Sequence, residues 1–187
     1  MVKIQIESTI KIGHETPLDV ARREALLDAA FGDGRFAKTA ERLREGRLPE
    51  RGLSFAACAD GRLVGTVRLW NISAGPGRPA LLLGPLAVAR DFRGCGIGGE
   101  LMRHALEQAQ RRGHRAILLV GDAPFYGRFG FTADQTGGLW LPGPYARERL
   151  LARELVPAAL EGARGLINPT GRIEPKTAVV ARLARAA

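Results

Sequence analysis

One stretch constrains the fold of this chain more than any other. Residues 81–113 read LLLGPLAVARDFRGCGIGGELMRHALEQAQRRG, an apolar run, a glycine-rich turn and an amphipathic segment. In that segment Leu101, Met102, Ala105, Leu106 and Ala109 fall on one side of a helix, with Arg103, Glu107 and Gln110 on the other. Gly113 is a stop signal. The AILLV run at residues 116–120 is too short to be a helix by itself and reads as a buried strand. Strand, helix and strand in this order predict a parallel pair joined by a right-handed crossover. Where a glycine turn feeds a helix, the first backbone N–H groups have no helical partner and the helix dipole adds positive charge. The turn Arg93, Gly94, Cys95, Gly96, Ile97, Gly98, Gly99 therefore suits a phosphate or pyrophosphate.

The strand before the turn carries its own irregularity. Residues 80–88 are almost wholly apolar, as a central strand should be. Yet Gly84-Pro85 sits inside it, and proline has no N–H for the ladder. A bulge or bend there predicts that the strand splays from its neighbour. Backbone N–H and C=O groups of Leu86, Ala87 and Val88 are then left for a ligand bearing amides, which would bind as an added strand does.

The rest of the chain supplies a frame. Residues 2–6 alternate and read as a first strand, residues 17–30 as a helix with Pro17 in its first turn, and residues 36–45 as a second helix ended by Gly46. Residues 53–59 and 63–70 flank Asp60-Gly61, a strong hairpin signal. Residues 71–79 read as a Gly/Pro/Ser loop. Pro124 starts a short helix and Gly130 ends it, with Phe131 opening a further strand. Residues 139–141 and 149–156 read as the last strands. Residues 1–156 are thus expected to form one domain, with 157–187 a C-terminal extension in which residues 176–186 form a small helix.

Composition narrows the class. At 187 residues, 45% hydrophobic and 25% charged, the chain is expected to be globular, with no apolar run long enough to span a bilayer and no secretory signal core. Its two cysteines, Cys58 and Cys95, argue for a reducing cytoplasm over a disulfide scaffold. The net charge of +9 rests on 28 basic residues, 24 of them arginine, scattered from Arg22 to Arg185. No basic stripe is interleaved with aromatics, so nucleic acid is not the expected partner. No membrane partner and no metal are expected, and the chain is read as a monomer or homodimer.

Two readings compete for the turn. Gly94, Gly96 and Gly99 match G-x-G-x-x-G, and Asp122 follows after the next strand, as in a dinucleotide fold. Against this, five residues separate Val88 from Gly94, four elements precede the motif, and no second mononucleotide half follows. The second reading is a resemblance. Residues 93–98, RGCGIG, resemble the R/Q-x-x-G-x-G/A signature of the GNAT superfamily of acyl-CoA-dependent N-acetyltransferases, and residues 126–131, YGRFGF, resemble its Y-x-x-x-G-F signature. The phrases LGPLAV and LLVGDAPFYGRFGF are most similar to its YhbS-like bacterial subgroup. The chain departs from the family in having Gly121-Asp122 where many members place an asparagine, so that contact is not carried over.

The resemblance implies a fold class: α/β with a mixed, mostly antiparallel sheet splayed between two parallel central strands and flanked by helices. It also implies acetyl-CoA as co-substrate, with direct transfer of its acetyl group to a small-molecule or peptide amine. The alternatives are a CoA-binding module without turnover and transfer of another acyl group. Residues 94–99 would hold the pyrophosphate, Arg93 would add a charged hydrogen bond, and the edge at Leu86, Ala87 and Val88 would meet the pantetheine amides. Arg90 reads as a solvated charge. Tyr126 is the implied acid at sulfur. With reference values near 10 for tyrosine and about 8.5 for a thiol, full proton transfer is uphill by roughly 2 kcal/mol. Tyr126 is therefore expected to donate a hydrogen bond to the developing thiolate. No general base stands out among Asp122, Glu24, His14 and His104. The acceptor is expected between the loops at 31–46, 71–79 and 141–146.

Overall fold

The computed structural model describes residues 10–175, so the strand expected at 2–6 and the helix expected at 176–186 lie outside the described residues. An open mixed sheet forms the frame. Its strands are β1 (Ile10–His14), β2 (Ser54–Ala59), β3 (Arg62–Ala74), β4 (Pro79–Val88), β5 (Ala116–Val120) and β7 (Leu150–Glu154), hydrogen-bonded in that order. The short β6 (Leu139–Trp140) pairs with β8 (Gly165–Pro169), which adds to the far half of β3. Among the described residues only the β4–β5 and β6–β8 pairs are parallel.

The central strands are apolar throughout because both faces are covered. Leu81 and Leu83 of β4 join Ile117 and Leu119 of β5 on the face carrying the helices α1 (Val20–Phe31) and α2 (Ile97–Arg111). Leu82 and Leu118 point the other way, into a second cluster with Trp70, Leu139, Leu150 and Ile167. Alternation of this kind gives continuous hydrophobic runs in sequence. Helix α2 comes close to β3 at Gly65, where a Cβ would lie 2.9 Å from Leu101 Cδ1 and 3.1 Å from Ile97 Cγ2. The glycine thus fixes how near the turn lies to the sheet.

The expected break in β4 is present. Val67 pairs with Leu86 and Leu69 with Leu83, so Gly84 and Pro85 together face Arg68 and form a bulge. The Gly84–Pro85 peptide is cis. The buried Trp70 indole donates to the Gly84 carbonyl at 2.6 Å and braces the bulge. On its other edge β4 pairs with β5 only at Leu81↔Ile117 and Leu82↔Leu118. Beyond Leu82 the two strands part.

Four expectations are corrected or extended. Residues 36–45 are not one α-helix; two 3-10 turns, Asp33–Ala37 and Thr39–Leu43, supply the helical residues there. The segment crosses the mouth of the splay and is tied by long-range bonds, Thr39 Oγ1 to the Pro144 carbonyl and Arg42 Nη1 to the Pro142 carbonyl at 2.6 Å. Asn71–Ala74, read as loop, continue β3, because β4 gives Asn71, Ile72 and Ser73 partners on one edge and β8 gives Ile72, Ser73 and Ala74 partners on the other. The turn is only residues 75–78, with Gly75 and Gly77 at φ of +77° and +71°. Phe131 is buried but opens no strand, and the one bridge there is Thr132↔Ala152. The segment after residue 156 contributes β8.

Candidate active site

Two cavities open where β4 and β5 diverge. The first, about 820 Å³, lies over the glycine turn. Leu86, Val88, Arg93, Gly94, Gly96, Ile97, Gly98 and Gly99 all line it. Gly94 and Gly96 both have φ of +84°, and a Cβ at either would meet nothing within 4 Å. It would project into open space, so the turn is a cradle that side chains would fill. Gly96 caps α2 in the left-handed conformation with no side-chain cap, which leaves the first N–H groups of the helix for a ligand. Among the expected residues, Ala87 is buried and Cys95 is exposed, and neither lines this cavity. Arg93 reaches back, its Nε 3.4 Å from the Val88 carbonyl. Arg90 does not line the cavity.

Sequence reasoning missed two cations of this cavity, Arg103 and Arg128. Arg103 is exposed and pairs with Glu100 at 2.6 Å. Arg128 lies over the Phe125 ring, 4.7 Å from its centroid, and donates to the Phe125 carbonyl at 3.2 Å. Phe125 and Phe129 also line the cavity. The signal for Arg128, Phe125 and Phe129 was their place within or beside the YGRFGF phrase.

The second cavity, about 430 Å³, lies on the other side of the splay. Its walls come from α1, the 3-10 turns, the bulge at Leu83–Leu86, the end of β5 and residues 141–146. Two of the three loops expected around the acceptor are here; residues 71–79 are not. Trp140 is half exposed on β6, and neither it nor Trp70 lines this cavity.

Leu86, Asp122 and Tyr126 line both cavities. Tyr126 ends α3 (Ala123–Tyr126), and its ring packs edge-on to Phe125 at 4.9 Å and Phe131 at 6.2 Å. Burial, with Asp122 adding to it, pushes the Tyr126 hydroxyl up to about 12. It stays a protonated donor across the neutral range. Asp122 is exposed and lies 3.2 Å from Arg149.

The other groups weighed as bases lie elsewhere or are committed. Burial works to raise the Glu24 carboxyl, but hydrogen bonds from Arg35 and Arg23 prevail and hold it at about 2. His14 and His104 both pack on Phe55, at 5.3 and 4.6 Å between ring centroids, and neither lines either cavity.

Comparison with known proteins bears on this arrangement. The family described as Acetyltransferase (GNAT) family matches residues 21–131. The uncharacterized N-acetyltransferase YhbS of Escherichia coli K12 is 29% identical over 155 residues, which is 82% of this chain and 92% of that protein. The crystal structure of E. coli YhbS in complex with CoA superposes with a TM-score of 0.74, covering 87% of this chain and 90% of its own. A GNAT family acetyltransferase from Brucella melitensis in complex with acetyl-CoA is 26% identical, with a TM-score of 0.61 over 80% of this chain and 90% of its own.

Proposed function

This chain belongs to the acetyltransferase (GNAT) family, and on that basis we propose that it moves the acetyl group of acetyl-CoA to the amine of a small acceptor by direct transfer. The observation that carries the reading is the junction: one cavity over a phosphate cradle and another across the splay share Tyr126, Asp122 and Leu86. CoA suits the first cavity. Its pyrophosphate fits the N–H groups of residues 94–99, with Arg93 and Arg128 as charged donors. Its pantetheine amides fit the edge of Leu86, Ala87 and Val88, which β5 leaves unpaired. The thioester then lies at the junction, within reach of an amine in the second cavity.

The chemistry follows from that placement. The lone pair of a neutral amine attacks the thioester carbonyl carbon, and the carbon–sulfur bond breaks as the carbonyl re-forms. Nitrogen loses one proton and the departing sulfur ends as the CoA thiol, so the products are an amide and free CoA. The Tyr126 hydroxyl donates a hydrogen bond to sulfur as negative charge develops there. A reducing cytoplasm suits the free thiols of Cys58 and Cys95.

Tyr126 depends on its neighbour. A Cβ at Gly121 would lie 2.1 Å from Tyr126 Cε2 and 2.6 Å from Cδ2. Gly121→Ala is expected to displace the ring and lower kcat by about tenfold or more, with CoA affinity by calorimetry nearly unchanged. Undiminished kcat would show that the ring position is not needed.

The reading as a whole is tested by titrating the protein with acetyl-CoA, longer acyl-CoAs and NADH in thermal shift, then screening amines for free-thiol release. Stabilisation by acetyl-CoA and thiol release with an amine are expected. Stabilisation by NADH and not by CoA would overturn it. CoA binding without thiol release from any amine would favour a CoA-binding module.

A further inference from the structure

The second cavity holds a buried arginine whose charge the protein only half compensates. Arg44 lines that cavity, yet its side chain is only 9% exposed. Among the described residues its one ion pair is with Glu41, from Nη2 at 2.8 Å. Its Nε is buried without a hydrogen-bond partner. Its Nη1 faces the bulge, 3.6 Å from where a Cβ on Gly84 would stand. Burial pushes the guanidinium below its ordinary value, and the charge of Arg35 adds to that. Buried guanidinium groups normally have their donors filled, and burying one against a single carboxylate is a net cost unless something else requires it.

The remaining cations around the cavity are differently placed. Arg35 is held by Glu24 at 2.6 Å and Asp28 at 2.7 Å. Arg149 faces Asp122. Lys38 lies over the Phe31 ring, 4.4 Å from its centroid. Arg44 is thus the buried guanidinium with donor capacity left for a ligand, whereas Arg149 is half exposed to water. A planar carboxylate matches a guanidinium fork through two parallel N–H···O bonds. The rest of the lining includes Leu27, Leu82, Leu83, Val120 and Leu141, which suit an apolar side chain. A cavity of about 430 Å³ is the size for a small molecule.

We propose that Arg44 anchors a carboxylate on the acceptor, so that the substrate is an apolar amino acid or a close relative that joins amine, carboxylate and apolar body in one small molecule. This rests on the reading above that the second cavity takes the acceptor. The carboxylate docks at the bulge, and the amine is directed toward Tyr126 and Asp122, where the thioester would lie.

The test separates binding from turnover. The full chain loaded with CoA is titrated by calorimetry with N-acetylleucine, which stands for the product, and with N-acetylleucinamide, which lacks only the carboxylate. N-acetylleucine is expected to bind at least about tenfold more tightly, the worth of one charged hydrogen-bonded contact. Arg44→Met should collapse that ratio toward one, and Arg44→Lys, which keeps the charge but not the fork, should restore part of it. Equal binding of the two compounds to the wild type, failure of both to bind, or a ratio that survives Arg44→Met would each overturn the proposal. Thiol release with leucine reports separately on acetyl transfer. If no amine releases thiol while N-acetylleucine still binds through Arg44, the transferase reading falls and the carboxylate site stands.

Discussion

Tyr126→Phe is expected to lower kcat by roughly 10²-fold or more, the usual loss when one donor to developing charge is removed, and to leave CoA affinity intact. The substitution removes a single oxygen from a ring that Phe125 and Phe131 hold in place, so the walls of both cavities should persist. The effect belongs to the hydrogen bond and not to proton donation. With the hydroxyl at about 12 and a thiol near 8.5, handing its proton to sulfur would be uphill by roughly 5 kcal/mol. A donor at about 12 also keeps its proton through the alkaline range. The wild-type rate should therefore show no fall with a midpoint near pH 10 that Tyr126→Phe abolishes. Single-turnover rates at saturating acetyl-CoA across pH 6–10 measure both. Unchanged kcat in the variant would remove Tyr126 from the chemistry.

The parts of this molecule that were legible in the sequence are those whose chemistry is local. The glycines of the turn announce positive φ, Gly84-Pro85 announces a gap in a ladder, and AILLV announces burial on both faces; each needs only its immediate neighbours. The two 3-10 turns depend instead on partners far along the chain, such as Thr39 on Pro144, and no periodicity carries that information. Strand β8 was invisible for a similar reason. Its sequence, GLINP, has neither alternation nor a long apolar run, and it is a strand because β3 extends far enough to pair with it. The turn, Leu86, Val88 and Tyr126 come together around one cavity, and they were legible because the two motifs are contiguous segments. Around the second cavity the loops were legible, but the separate environments of their arginines were not. Arg35, Arg42 and Arg44 look alike in sequence. In the fold Arg35 is held by two carboxylates, Arg42 reaches the Pro142 carbonyl, and Arg44 is buried with a donor to spare. That difference is made by tertiary contacts.

The same dependence on distant partners sets the largest expected loss of stability, at Glu15. Its carboxylate accepts from Arg23 and from both Nε and Nη2 of Arg68, the Nε bond at 2.7 Å. Arg23 is only 1% exposed and Glu15 5%. Arg23 passes the chain of charges on to Glu24 at 2.6 Å, and Glu24 to Arg35 at 2.6 Å. The network joins β3 at the bulge to α1 and to the turn that roofs the second cavity. Exposed ion pairs are worth little, but removing the buried Glu15 charge leaves Arg68 without an ion-pair partner among the described residues and Arg23 with Glu24 alone. Glu15→Gln is therefore expected to cost about 3 kcal/mol, which for a domain this size lowers Tm by roughly 6–12 °C. The double variant Glu15→Gln with Arg68→Met should recover part of that loss, because it removes the charge that the first substitution leaves unpaired. The pH profile gives a second handle. Glu24 is held at about 2 against an ordinary 4.5, so its contribution is complete above about pH 4.5 and is lost as pH falls toward 2. Glu24→Gln should flatten that acid limb, whereas Glu15→Gln should lower stability at neutral pH as well. A Tm for Glu15→Gln within a degree or two of the wild type would mean that Glu24 alone compensates Arg23, and that the roof of the cavity is held by packing and not by charge.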